Sequence, residues 1–116
     1  MELSEALTYH LEWKVRLRTA LADSKTVEVE SASDYHGCTL GTWLNDEARE
    51  RFGHLESFRD CYNKHAHFHL EAGKVVQCIR EGDADGARSM LGMAGSFTNA
   101  SSALIDALKR LRQETE

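Results

Sequence analysis

Histidine side chains at a helical spacing could bind a metal ion in this chain. His65 and His69 are four residues apart. Because a helix turns by about 100° per residue, the two imidazoles would lie roughly 40° apart, one turn along the same face. His67 would lie about 200° from His65 and face away from the pair. The spacing therefore selects His65 and His69 as a candidate ligand pair, although two hydrogen-bonded histidines of a core or a surface could have the same spacing.

Two further residues could complete a metal site. His10 interrupts a stripe of leucines near the N-terminus. A buried imidazole without polar partners would cost about 1 to 3 kcal/mol there, and a metal would satisfy one of its nitrogens. Cys38 offers a thiolate. Three imidazoles and one thiolate fill the four positions of a tetrahedral Zn²⁺ site, with bonds of about 2.0 to 2.1 Å to nitrogen and about 2.3 Å to sulfur. Such a site would leave no coordination position of the ion open to water or a substrate.

The candidate donors lie on segments whose apolar residues recur at helical intervals. The chain contains no proline, and its apolar stripes alternate steps of three and four residues, which predicts long helices. We predict an all-α fold, a four-helix bundle with three long helices and one short Cys-bearing helix. The predicted helices cover Leu3 to about Ala22, about Tyr35 to Asn45, the segment between Gly53 and Gly82, and a final segment that follows Asp83.

The final helix is predicted to be continuous. Gly82 is typical of a helix stop and Asp83 of a new N-cap. The stripe that follows is nearly unbroken, and its members are Ala87, Met90, Ala94, Phe97, Ser101, Leu104, Leu108 and Leu111. Small residues in this helix would permit a neighbouring helix to approach closely, which favours a dimer; they are Gly92, Ala94, Gly95, Ala100 and Ser101.

Three sequence motifs occur in a characteristic order. A histidine lies near an aromatic residue in HLEWK (10–14), a Cys-x-hydrophobic-Gly-x-aromatic core occurs in CTLGTWL (38–44), and a His-x-x-x-His pair follows at 65–69. This combination resembles the chemoreceptor zinc-binding (CZB) domain of bacterial signalling proteins, over most of the chain. The resemblance implies Zn²⁺ as the cofactor and His10, Cys38, His65 and His69 as its ligands, the same residues that the spacing and donor chemistry favour.

The resemblance also implies a function. It predicts a sensory and regulatory domain, not an enzyme, that is usually a homodimer and passes a signal to an output domain or protein of the chemoreceptor or diguanylate cyclase type. The stimulus would be zinc or an oxidant. This chain contains neither a cyclase signature nor a long receptor hairpin, so the output would lie in another segment or another protein.

Length, composition and charge narrow the alternatives. The 116 residues fit one domain, 1–116. Fourteen Lys and Arg against 19 Asp and Glu give a net charge of −5, so nucleic acid is not an expected partner. The apolar runs are far shorter than the 20 or so residues that cross a bilayer, and no signal peptide is recognisable, so we predict a cytoplasmic location and no membrane insertion. Three widely spaced cysteines do not make a disulfide framework.

Two other functions remain possible at this point. The first is a metal-dependent enzyme or diiron carrier on the same bundle, because the carboxylates of Glu56, Asp60 and Glu71 are near the histidine pair. Against it, the apolar faces carry no Glu-x-x-His, and a catalytic zinc needs an open position. The second is a helical adaptor with incidental histidines, which leaves His10 in its leucine stripe unexplained.

Several other residues invite a functional interpretation and are better explained by packing. Trp13 and Trp43 are typical of core packing, and Cys61 and Cys78 of buried thiols. His36 is two residues before the predicted cysteine ligand and could bind as well, but it is outside the family motif. We expect none of these five residues to be a ligand.

Overall fold

The computed structural model describes residues 3–23 and 38–115, and these residues contain helices and no strand. The fold is the predicted all-α bundle. Its helices are α1 (Leu3–Asp23), α2 (Thr39–Asn45), α3 (Glu47–Phe52), α4 (Glu56–Arg80), α5 (Ala84–Leu91) and α6 (Ser96–Thr115). The long helices α1 and α4 and the short helix beside Cys38 agree with the prediction, whereas α3 was not predicted. The expected start of the short helix, at Tyr35, is outside the described residues.

The bundle is organised around α4, which packs against α6, α5 and α1. The core includes the fully buried rings of Phe68 on α4 and Phe97 on α6, whose centroids are 5.3 Å apart. On α1 the predicted stripe is buried at Leu3, His10 and Leu17, and the buried face extends to one side of it. The buried residues of α1 that lie outside the predicted stripe are Ala6, Trp13 and Ala20. The middle of α1 therefore presents His10 to α4 from within a continuous apolar face.

The predicted continuous final helix is wrong, because it is divided into α5 and α6 by a connection at residues 92–95. Gly92 ends α5, and its amide donates to the Ser89 carbonyl oxygen. A Cβ atom on Gly95 would collide with the backbone carbonyl oxygens of Ser89 and Met90. Only a glycine permits this close approach of the chain to the end of α5. Ala94, predicted on the buried stripe, is exposed in the connection.

This break also changes the argument for a dimer. Gly92, Ala94 and Gly95 belong to the connection, and Ala100 and Ser101 are buried on α6 within the chain's own bundle. None of these small residues therefore forms the exposed helical stripe on which the argument for a dimer depended. A homodimer stays a prediction that depends on the family resemblance alone.

We expect Gly95→Ala to lower the free energy of unfolding by roughly 1 to 3 kcal/mol, the usual range for forcing an atom into a packed region. Gly92→Ala is the matched control, since its Cβ would come no closer than 3.3 Å to the Arg88 carbonyl oxygen, and we expect a smaller loss. Urea denaturation of both variants measures the difference. Equal stabilities of Gly95→Ala and wild type would contradict the close approach seen at this connection.

The start of α5 follows the prediction. Gly82 has a positive φ of 78°, which suits a residue that ends a helix. The Asp83 carboxylate accepts a 2.9 Å hydrogen bond from the Gly86 amide, as an N-cap does. Within the described part of the chain, no helix is long and apolar enough to pass through a bilayer.

Candidate metal centre

Four potential metal donors from three separate elements meet inside the bundle. His10 lies in the middle of α1, Cys38 is the N-cap residue of α2, and His65 and His69 lie one turn apart on α4. One donor atom from each of them lies within 4.8 Å of the donor atoms of the others. All four side chains are buried, with exposed fractions of 1%, 6%, 1% and 1%. The structure therefore brings together the residues that the sequence had selected.

The two histidines of α4 face each other through their Nε2 atoms. The distance between these atoms is 3.1 Å, and the ring centroids are 4.6 Å apart. The pair belongs to the buried face of α4, together with Ala72 and Val76 of the predicted stripe. His65 and His69 are thus held side by side by the helix itself, with one nitrogen of each directed to the same point.

The ring of His10 is fixed by its own helix. Its Nδ1 is 2.7 Å from the backbone carbonyl oxygen of Ala6. Because that oxygen can only accept, Nδ1 carries the proton and Nε2 of the neutral ring carries the lone pair. This Nε2 lies 3.6 Å from Sγ of Cys38. A backbone carbonyl that orients a histidine in this way is a common feature of metal sites, because it selects the nitrogen that binds.

The donor spacing fits a tetrahedral zinc site. Bonds of about 2.0 to 2.3 Å at tetrahedral angles separate neighbouring donor atoms by about 3.3 to 3.6 Å. Two of the separations, 3.1 Å between His65 and His69 and 3.6 Å between His10 and Cys38, are within a few tenths of an ångström of this range, and all four donor atoms lie within 4.8 Å of one another. Three nitrogens and one sulfur, all buried, are also a donor set that suits Zn²⁺ better than Ca²⁺ or Mg²⁺, which prefer oxygen.

Burial lowers the pKa of His10 from 6.5 to about 4, mainly through desolvation of the charged form. The hydrogen bond to the Ala6 carbonyl opposes this shift, and the nearby His69 adds to it. His10 is therefore neutral in the folded protein at neutral pH. Neutral imidazole is the form that binds metal, so no proton has to leave this ring when an ion arrives.

The lowered pKa predicts a pH dependence for the metal-free protein. The unfolded state takes up a proton on His10 near pH 6.5, and the folded state takes it up only near pH 4. The free energy of unfolding is therefore unaffected by His10 above pH 6.5. It falls as the pH is lowered toward 4, by on the order of 3 kcal/mol in total. Denaturation of metal-free wild type and of His10→Gln across this range measures the effect. Parallel stability curves for the two proteins would contradict it.

The described residues that could have competed for a metal are not part of the cluster. His67 is exposed, as its position on the helix predicted, and its Nε2 lies 4.0 Å from a carboxylate oxygen of Glu71. Cys61 is fully buried, and burial, with a smaller effect from the Asp60 charge, raises the pKa of its thiol to about 12. Among the described residues, the cluster includes no carboxylate, which disfavours a diiron centre. His36 is outside the described residues.

Packing accounts for the remaining candidates. Trp13 is 2% exposed in the core, and Trp43 packs against the core near Phe52, with ring centroids 6.4 Å apart. Cys78 is partly buried against the same core. The predicted packing role of these residues is confirmed.

Two contributors to the site were not predicted from the sequence. The Ala6 carbonyl orients His10, and the residue four positions before any helical histidine is the place to look for such an acceptor. Phe68 places its ring edge-to-face on His10 at 5.2 Å and on His69 at 5.3 Å. Its position directly before His69 gives no hint of this role, because the contact to His10 depends on how α1 crosses α4.

A family model decides the relationship of this chain to known proteins. The model of the chemoreceptor zinc-binding domain, CZB, matches residues 10–76. The chain belongs to the CZB family. The matched region of this CZB domain contains all four clustered donors, from His10 to His69, and zinc is the family's cofactor. No curated protein and no solved structure matches the chain.

Proposed function

We propose that this CZB domain binds one Zn²⁺ through His10, Cys38, His65 and His69 and uses the site as a sensor in bacterial signal transduction. The observation that carries the proposal is the convergence of four buried donors, drawn from α1, α2 and α4, within 4.8 Å. Membership of a family of zinc-binding signalling domains supports it. Four protein ligands would leave no open position on a tetrahedral ion, which argues against a catalytic zinc, and membership of this family favours a regulatory role.

The donor set suggests which stimuli the site reads. Zinc keeps a bound thiol deprotonated, and a thiolate is the form that reacts with oxidants. Oxidation of Cys38 would remove a ligand and weaken zinc binding. A fall in free zinc would have a similar outcome by emptying the site. We propose that the domain senses the level of zinc or of oxidants, and that either stimulus acts by breaking the bond between zinc and Cys38.

The output is proposed to be a movement of helices. Zinc joins α1 and the start of α2 to α4, so loss of zinc frees α1 and the segment at Cys38 to shift against α4. The receiver would be a chemoreceptor or diguanylate cyclase module, in chemotaxis or cyclic-di-GMP signalling, with a cytoplasmic homodimer as the working form. These finer assignments follow from the family's setting in signalling proteins.

Elemental analysis of protein purified without added metal tests the proposal. We expect one zinc per chain in wild type, and little or none in Cys38→Ser after dialysis against a mild chelator. Two irons per chain would instead favour a diiron carrier, and absence of metal would favour a helical adaptor.

Hydrogen exchange tests the output. Removal of zinc is expected to raise amide exchange in α1 and around Cys38 far more than in α6, which packs on α4 without contributing a donor. Identical exchange with and without zinc would contradict a signal that travels through α1.

A further inference from the structure

A small cavity at the protein surface has one of the four clustered donors, His10, in its lining. Its volume is about 170 Å³, and its lining combines α1 residues with the start of α2. The lining residues are Glu5, Ala6, Tyr9, His10, Thr39 and Leu40. His10 is one of the proposed ligands, and Thr39 directly follows another. Cys38 is also the most exposed of the four donors. The cavity therefore touches the cluster at His10, next to the residue that follows Cys38.

A shallow surface hollow adjoins this cavity. Its volume is about 330 Å³, and it shares Glu5 and Tyr9 with the cavity. The hollow adds Ser4, Thr8 and Glu12. Among the residues that the structure describes, the two linings together contain two carboxylates and no Lys or Arg. A concave surface lined by one sign of charge concentrates ions of the opposite sign and raises their association rate.

Tyr9 lies where the hollow meets the cavity. Its ring stands edge-to-face on the ring of His10, with centroids 5.1 Å apart and an interplanar angle of 83°. It is 41% exposed, so it is not locked in the core. A side-chain rotation of Tyr9 would break this ring contact and widen the cavity beside His10, and exposed side chains change rotamer within nanoseconds.

An ion that reaches four buried ligands without opening of the packed core needs a path to them. We propose that the hollow and cavity form the route by which Zn²⁺ reaches and leaves the site, with Glu5 as the group that first captures the ion and Tyr9 as the movable barrier before His10. This inference rests on the proposed zinc site. It assigns to Glu5 and Tyr9 a role in the rate of exchange, which a zinc-level sensor needs in order to respond.

Stopped-flow mixing of metal-free protein with zinc in the presence of a chromophoric chelator tests the role of Glu5. Glu5→Gln is expected to lower the association rate constant by roughly 3- to 10-fold at low ionic strength. The difference should shrink at about 1 M salt, because salt screens exposed charges. Glu50→Gln is the matched control, since Glu50 is exposed on α3 and lines neither cavity nor hollow. Equal rates for the two variants would overturn the capture role.

Tyr9→Ala tests the barrier. Both the association and the release rate of zinc are expected to rise, by roughly 3-fold or more, while their ratio and the zinc stoichiometry stay close to wild type. Wild-type rates in Tyr9→Ala would overturn the barrier role. A wild-type protein that binds no stoichiometric zinc would contradict the zinc site itself, and this outcome is separate because it appears before any variant is compared.

Discussion

Cys38→Ser is expected to weaken zinc binding by roughly 10²- to 10³-fold. Structural zinc in small proteins binds with about 10 to 16 kcal/mol, and an equal share for each of four ligands is about 2.5 to 4 kcal/mol. Serine has nearly the shape of cysteine but is a much poorer ligand for zinc. The dissociation constant can be measured by competition with a chelator of known affinity.

Cys78→Ser is the control for this experiment. Cys78 is partly buried at the core and is not part of the donor cluster, so the same chemical change should leave zinc affinity within about 2-fold of wild type. Cys61 is less suitable, because its side chain is fully buried and a hydroxyl there would destabilise the core. Equal affinities of Cys38→Ser and wild type would contradict a thiolate ligand.

Removal of zinc is expected to cause a large loss of thermal stability. At free zinc of about 1,000 times its dissociation constant, binding to the folded state alone adds about 4 kcal/mol. In a domain of this size that corresponds to a fall in melting temperature of roughly 10 to 25 °C on chelation. Calorimetry at fixed free zinc, followed by the same scan with excess chelator, measures the change.

Two histidine variants make the thermal experiment specific. His69→Gln is expected to lose most of the zinc-dependent increase in melting temperature, because it removes one of the clustered donors. His67 is on the same helix but exposed, so His67→Gln is expected to keep the zinc-dependent increase in melting temperature. A zinc-dependent increase of similar size in both variants would mean that the ion binds elsewhere.

The face that α4 presents was predictable from local spacing. His65 and His69 are in phase with Phe58, Ala72 and Val76, and helical periodicity alone places all of them on the buried side. His67 is out of phase, and it is exposed for the same reason. The approach of His10 and Cys38 to this pair was implied by the family resemblance. Spacing could not supply it, because it depends on how separate elements pack.

The division between α5 and α6 shows where periodicity misleads. Ala87 and Phe97 keep the phase of one helical stripe, and both are fully buried, so the pattern gives no sign of the break between them. Gly92 and Gly95 supplied the signal in the sequence, but small residues also suit close helix packing, and the sequence did not distinguish the two uses. The close contact of Gly95 with the end of α5 decides between them.

The central claim is that one zinc ion is held by three imidazoles and one thiolate. X-ray absorption at the zinc edge of the purified protein tests it most directly, since it reports the atoms bound to the metal. The account predicts a four-coordinate ion with about three nitrogens at about 2.0 to 2.1 Å and one sulfur at about 2.3 Å. In Cys38→Ser protein to which one equivalent of zinc has been added back, the sulfur contribution should disappear. A wild-type spectrum without sulfur, or with six light-atom neighbours, would contradict it.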